Sequence, residues 1–358
     1  MKSLHIGSAM IDIITLVASE NIERATFSND GKSFLMLEAG RKLVAEQITS
    51  HVGGGACNTA VSLARRGWHS GVLAKVGDDL NAAEIRQHLA ENDVADRLML
   101  SDRSTGTAVM VASHDRNASI FVHRGANETL DCAEFPADTY ADLDLIYVTS
   151  LSNQSADCFP TILQSAKDAG AMTAANPGIR QLTSRTAEFL NALAHVDLLS
   201  VNTVEAEALV PAFAPRAEGP DPVLPDGAPP LARRGLSFGG FEMGVIRFLR
   251  AVQAAGPRWV SLTDGTDGAY LATPDGVLWH PTVPAEVAGT AGAGDAFCST
   301  LTSALVEGSA PETAMREAAI NAASVVSHVD TTQGLLSRDA LAKRSAGLGD
   351  LAPLRIAA

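Results

Sequence analysis

The chain has 358 residues, 46% of them hydrophobic, enough to bury one large α/β core, which excludes disorder throughout. A formal net charge of −14 without any dense Lys/Arg block argues against a nucleic-acid partner, because phosphate backbones are held by clustered cations. No apolar run reaches the roughly 18 residues of a membrane span, and the four cysteines (Cys57, Cys132, Cys158, Cys298) form no C-x-x-C pair, which argues against a zinc site and fits a reducing cytoplasm.

From the N-terminus, Lys2 opens an apolar stretch that runs to Val17. His5 and Asp12 interrupt it as a secretory leader, and it reads equally well as a buried strand. Further on, Gly31-Lys32-Ser33 ends like a Walker A loop, but Thr26 stands where the first glycine belongs. Gly53, Gly54 and Gly55 then lead through Ala56, Cys57, Asn58, Thr59 and Ala60 into a helix that Gly67 terminates, followed by Lys75-Val76-Gly77-Asp78-Asp79. Successive glycines with an amide at the helix start suit close contact with a polyhydroxy ligand, since Asn58 offers both donor and acceptor. A plain turn with a helix cap is the other reading. Segments 107–111 and 119–123 alternate apolar and polar residues around the polar turn His114, Asp115, Arg116, Asn117, which predicts a hairpin. Parts of 13–50 and 105–125 are therefore expected to form a small β-layer that covers a site, pairs two copies into a homodimer, or both.

Beyond this layer, short apolar runs at 143–149, 172–175, 196–201 and 259–263 alternate with helical patterns. The expected fold is α/β, a doubly wound and mostly parallel sheet flanked by helices. Ligands of such sheets sit beyond the carboxyl ends of the strands, which marks Asn176, Asn202 and Asp264. Asn202 with Glu205 three residues later either meets a ligand or forms a capping box. Residues 211–240 hold seven of the 16 prolines and read as a mobile insertion within one body spanning 1–345; 346–358 read as a C-terminal tail.

The densest signal is Gly289, Thr290, Ala291, Gly292, Ala293, Gly294, Asp295, Ala296, Phe297, just before a helical pattern that Gly308 can end. Glycines directly before a helix let an anion approach the first-turn N–H groups and the positive end of the helix dipole. Asp295 places a carboxylate beside that anion, where it could take a proton from an attacking hydroxyl during phosphoryl transfer. Helix capping by Asp295 is the competing reading. Phe297 stands where a dinucleotide fingerprint needs its third glycine, which argues against a nicotinamide-dependent oxidoreductase.

Together, Gly54-Gly55-Ala56-Cys57-Asn58-Thr59-Ala60 with Gly67 and Gly77, and Thr290-Ala291-Gly292-Ala293-Gly294-Asp295, resemble the two signatures of the ribokinase / phosphofructokinase-B family of carbohydrate and nucleoside kinases. Asp12, Asn202-Thr203-Val204-Glu205 and Thr263-Asp264-Gly265-Thr266-Asp267-Gly268 extend the likeness over about residues 4 to 335. The resemblance implies a ribokinase-like fold with a β lid, and Mg²⁺·ATP-dependent phosphorylation of a hydroxyl on a small sugar-like substrate. It makes Asp295 the base and Gly292, Ala293 and Gly294 the anion hole. Asp12, Gly54, Gly55 and Asn58 would hold the substrate. Asn202, Glu205, Thr263, Gly265, Gly268 and Asn321 would serve the nucleotide, with Glu205 on Mg²⁺. Gly289 stands where the family carries an acidic residue tied to a monovalent-cation site, which puts potassium activation in doubt. A nucleoside kinase and a non-catalytic sugar- or nucleotide-binding protein of the same fold are the alternatives. Low aromatic content, 5%, favours a sugar over a nucleoside.

Overall fold

The computed structural model describes residues 1–18, 20, 22–26, 33–40, 42–112, 118–217, 219–349 and 351–357. The expected hairpin turn at 114–117 and the pair Gly31 and Lys32 lie outside them.

Ten strands form the main sheet, and seven of them run parallel. In spatial order the parallel strands are Ala95–Asp96, His69–Leu73, Lys2–Ile6, Leu145–Val148, Met172–Ala175, Leu198–Asn202 and Trp259–Thr263. Helices cover both faces of the inner strands, so Leu4, Ile6, Ile146, Val148, Leu199 and Val260 are all at most 1% exposed. The four runs anticipated beyond residue 142 occupy adjacent places in this sheet, with boundaries shifted by up to two residues.

Three antiparallel strands complete one edge: Ala269–Thr273, Gly276–His280 and Leu354–Ala357. The first two form a hairpin whose turn carries Pro274, Asp275 and Gly276, a turn signature readable in the sequence. The third corrects the expected C-terminal tail. Its backbone pairs with Gly276–His280 and Ile356 is 5% exposed, so these residues close the sheet edge.

Residues 211–240 are also more ordered in pattern than a loop. The helix Thr203–Phe213 continues through Pro211, Pro229 and Pro230 introduce the helix Pro230–Arg234, and Leu236–Phe238 pairs with Phe241–Met243. Proline at the first helical position loses no internal hydrogen bond, so there it starts a helix instead of breaking one. Leu231 and Leu236, each 1% exposed, anchor the stretch to the core.

After Lys2–Ile6 the chain leaves the main sheet. A Cβ on Gly7 would lie 1.9 Å from Thr149 Oγ1, so only glycine passes there. The next strand, Met10–Val17, belongs to a separate four-stranded sheet in the order Ala118–His123, Gly106–Ala112, Met10–Val17, Ala45–Gly53. The N-terminal apolar stretch is thus two strands in two sheets, and the small β-layer anticipated from 13–50 and 105–125 is this sheet. Ile11 and Val52 join a core cluster with Ile85 and Leu89 of the helix Leu80–Glu91, which fastens the small sheet to the body. No described helix is long and apolar enough to cross a membrane.

Candidate active site

The helix Ala293–Val306 begins at Gly292, which sits at φ +77°, and a Cβ there would lie 2.8 Å from Thr331 Cβ. Both constraints demand glycine. Gly294 is exposed, and a Cβ added there would meet nothing within 4 Å, so its backbone faces open space. Among the described residues the N–H groups of Gly294 and Asp295 have no acceptor in the fold, whereas Ala296 already bonds Gly292 O at 2.8 Å. Two donors without an acceptor therefore stand at the positive end of a 14-residue helix, beside the open space at Gly294.

Asp295, in that first turn, does not cap its own helix. Its Oδ2 accepts from Asn58 Nδ2 at 2.8 Å, across 237 positions of sequence. Asn58 stands in the first turn of the helix Gly55–Arg65, and the two helices are also joined by Ser299 Oγ donating to Ser62 Oγ at 2.7 Å. The two glycine segments are thereby brought to one point. Thr331 Oγ1 donates to Asn58 Oδ1 at 2.9 Å, which decides which end of the amide faces the carboxylate. Asn58 is 4% exposed with both ends of its amide engaged, so its place is behind Asp295, holding it. Burial pushes the Asp295 carboxyl above its ordinary pKa, and the Asn58 hydrogen bond acts against that rise.

Asp12 comes to the same site from the small sheet. Gly53 makes room for it: a Cβ there would stand 2.0 Å from Asp12 Oδ2. Gly54, at φ +93°, approaches Ser8 O so closely that a Cβ would be 2.4 Å away, and Gly55 lies against the Thr149 side chain. Burial, reinforced by the charge of Asp295, pushes Asp12 up to about 6, while His51 opposes the shift. His51 is the cross-strand partner of Asp12, and its Nδ1 lies 3.0 Å from Asp330 Oδ2. Burial acts upward on Asp330 as well, but hydrogen bonds from Thr332 and Gln333 outweigh it and hold this carboxyl below the usual range.

Asn202 and Glu205 form the capping box: Glu205 N donates to Asn202 Oδ1 and Asn202 N to Glu205 Oε2, each at 2.9 Å. The second reading of the pair survives beside the first, because Asn202 remains exposed and Glu205 feels Asp295. Burial pushes Glu205 up to about 7 against the Asn202 hydrogen bonds, and the Asp295 charge adds to the rise. The charge of Asp295 thus raises both Asp12 and Glu205, an arrangement that a cation or a proton would relieve. Thr263 lies at the end of its strand beside Leu198–Asn202, and Thr203 Oγ1 donates to Asp264 Oδ1 at 2.7 Å. Gly265, at φ +53°, has open space around it, and Gly268, at φ +96°, backs onto His280 O.

Asn321 departs from expectation. It is 0% exposed, donates to Thr300 Oγ1 at 2.7 Å and accepts from Leu336 N at 2.9 Å. An amide fully enclosed and bonded at both ends braces the helix Pro311–Val325 and presents no exposed atom to a nucleotide. Gly289 carries no side chain toward the loop after that helix, where its N–H bonds Val326 O at 3.2 Å. Thr331, Asp330 and His51 were not singled out by sequence reasoning. None lies in a glycine-rich segment, and their importance arises only from contacts 273 or more residues distant in the case of Thr331.

A family model described as pfkB family carbohydrate kinase matches residues 4–338. The chain belongs to that family. It is a carbohydrate kinase of the sugar and nucleoside kinase class, a phosphotransferase with an alcohol acceptor. Among its relatives, the ATP-dependent ribose-1-phosphate kinase of Halopiger xanaduensis is 26% identical over 69% of this chain and 71% of its own length. The nucleoside kinase of Methanothermobacter thermautotrophicus is 22% identical over 82% of this chain and 84% of its own. Among solved structures, ribokinase from Thermotoga maritima superposes with a TM-score of 0.72 at 20% identity, covering 97% of this chain and 99% of that one. That likeness establishes the ribokinase fold for this family member.

Proposed function

We propose that the protein transfers the γ-phosphoryl group of ATP to a hydroxyl of a small sugar-like acceptor, with Asp295 as general base. The observation that carries this reading is the Asp295 carboxylate, aimed by Asn58 at 2.8 Å, beside the unbonded N–H groups that open its helix. As the acceptor oxygen forms its bond to phosphorus, its proton passes to Asp295, the bond from phosphorus to the bridging oxygen breaks, and ADP leaves. The amides of the 292–294 turn and of Asp295 meet the charge that develops on the transferring group. Asp12 and the backbone at Gly54 and Gly55 hold acceptor hydroxyls, and Asn58 keeps the base in line.

Asn202, Glu205, Thr263, Gly265 and Gly268 face the nucleotide side. Mg²⁺ is held mostly by phosphate oxygens and water with one or two carboxylates, and Glu205 fits that part because its charge is disfavoured until a cation is near. Bound there, the ion supplies charge neutralisation at the phosphates. Gly289 offers no carboxylate for a monovalent cation, so turnover without added potassium is expected. Closure of the small sheet over the acceptor would exclude water and suppress ATP hydrolysis. The exposed apolar residues of that sheet, Ile48, Ile120 and Phe121 among them, support its pairing with a second copy, which sedimentation would detect.

A nucleoside acceptor is the second reading, supported by the archaeal relative of that name. The deciding experiment is ADP release over a panel of sugars, sugar phosphates, sugar acids and nucleosides, run with wild-type and Asp295→Asn protein. Asp295→Asn protein that turned over any acceptor at near wild-type rate would remove the base from the mechanism.

A further inference from the structure

Beside the acceptor side of the site lies a cavity of about 540 Å³. Arg103, Arg124, Arg180 and His123 line it, together with Val122 and a single acid, Glu128. Three guanidinium groups around one space are unexpected in a chain of net charge −14. Glu128 Oε2 lies 3.3 Å from Arg103 Nη1 and so answers one of them. Among the described residues neither Arg124 nor Arg180 has a carboxylate within ion-pair distance. Burial and then the charge of Arg180 hold Arg124 below its ordinary pKa, against the pull of Glu128. Two neighbouring cations short of counter-charge favour an oxyanion, which guanidinium forks bind in bidentate fashion.

The position of this cavity relative to the reacting end is set by strand register. Asp12 pairs with Ala108, and Ala108 with Val122, so the three stand on one rung and one face of the small sheet. Two strand spacings separate Asp12 from Val122, about 10 Å, a span that a five- or six-carbon sugar with one terminal anionic group fills. The turn bearing Arg124 is tied to the strand of Asp12: the Asn127 side chain accepts from Ala9 N at 3.0 Å and donates to Ala9 O at 2.8 Å. Arg180 comes from the opposite wall, on the helix Ile179–Ser184 that follows the main-sheet strand Met172–Ala175.

We infer that the acceptor is an anionic sugar, whose phosphate or carboxylate sits among Arg103, Arg124 and Arg180 while a hydroxyl at its other end faces Asp12 and Asp295. This rests on the phosphoryl-transfer reading above. Calorimetric titration of the nucleotide-free full chain with ribose 1-phosphate, ribose 5-phosphate, gluconate, ribose and inosine tests it. At least one anionic probe should bind tenfold or more tightly than ribose and inosine, and the better class separates a phosphate site from a carboxylate site. In Arg180→Ala protein, altered at an exposed side chain, the preference should shrink to about threefold or less, and Arg180→Lys should restore part of it. Neutral probes binding as tightly as the anions, anions failing to bind at millimolar concentration, or an unchanged preference in Arg180→Ala would each overturn the inference. The parallel turnover assay keeps the two ideas apart. Loss of turnover in Asp295→Asn with ribose or inosine as the preferred ligand sinks the anionic acceptor alone, and retained turnover in that variant sinks the base.

Discussion

The two walls of the site are built differently. On the main-sheet wall, Asp295, Asn58 and Thr331 form a hydrogen-bonded chain with distances of 2.8 and 2.9 Å, the first two on helices whose inner faces are fully buried and Thr331 on the turn after the helix Pro311–Val325. On the other wall Asp12 stands on a four-stranded sheet that packs on the helices Gly55–Arg65 and Leu80–Glu91 and leaves Ile48 and Phe121 about two-thirds exposed. Chemistry needs positions held to a fraction of an ångström, which dense packing supplies. Selection among acceptors needs a surface that approaches a ligand from outside, and a thin sheet packed on the body along one face serves that end. In this protein the body wall should therefore govern kcat, and the sheet wall KM.

The largest expected effect lies on the body wall. Asp295→Asn should lower kcat by about 10²–10⁴ while the protein stays folded, as read by ADP release and circular dichroism. A fall in apparent acceptor affinity with kcat intact would break the contrast between the walls. On the sheet wall, Asp12→Asn should raise the acceptor KM about 10–100-fold, the worth of a hydrogen bond to a charged group, and change kcat much less. Gly53→Ala, whose new methyl displaces the Asp12 carboxylate, should follow it in direction.

Glu205 tests the body wall through pH. Its folded-state pKa of about 7 lies above the ordinary 4.5, so the folded protein keeps a proton that the unfolded chain has released between those values. Stability from this group is therefore highest below about pH 4.5 and falls as pH rises through about 7. Glu205→Gln retains an oxygen for the capping box and escapes the loss. Without nucleotide, its unfolding free energy should pull ahead of wild type across this window and hold the lead above it, by about 1–3 kcal/mol in denaturant titrations. Coincident curves at all pH values would show that the carboxylate is better solvated than its surroundings indicate.

The smallest effect is expected at Thr331. Thr331→Val removes one hydrogen bond to Asn58 and should cost about 1 kcal/mol, seen as a several-fold fall in kcat with acceptor KM nearly unchanged. Because Thr331 acts through Asn58 and Asp295, its effect should vanish in an Asp295→Asn background, which a double-mutant cycle measures.

Much of the plan was already legible in the chain. The runs at 172–175 and 259–263 became strands with those bounds, since an apolar run between helical patterns has few other ways to bury both faces. The 292–294 turn was legible because local conformation demands glycine there, as the φ of +77° at Gly292 shows. Other elements escaped because their reasons are not local. His69–Leu73 is too short and too mixed in polarity to announce a central strand, yet it pairs in parallel with Lys2–Ile6. Leu354–Ala357 becomes an edge strand only because Gly276–His280 presents free backbone groups to it. Asn321 has the composition of a ligand-binding residue, and only its surroundings show that its amide is enclosed.

What the sequence alone determined is the set of local necessities: the glycines at backbone positions closed to other residues, the helices that follow them, and the carboxylate one residue beyond Gly294. Only the tertiary structure decided that Asn58 would meet Asp295 across 237 positions, that Thr331 would orient it, and that Arg103, Arg124 and Arg180 would share one cavity. The physical reason is one of range. Backbone sterics and helix starts are settled within a few residues, whereas hydrogen-bond partners and charge neighbours are chosen by the sheet order that brings distant segments together.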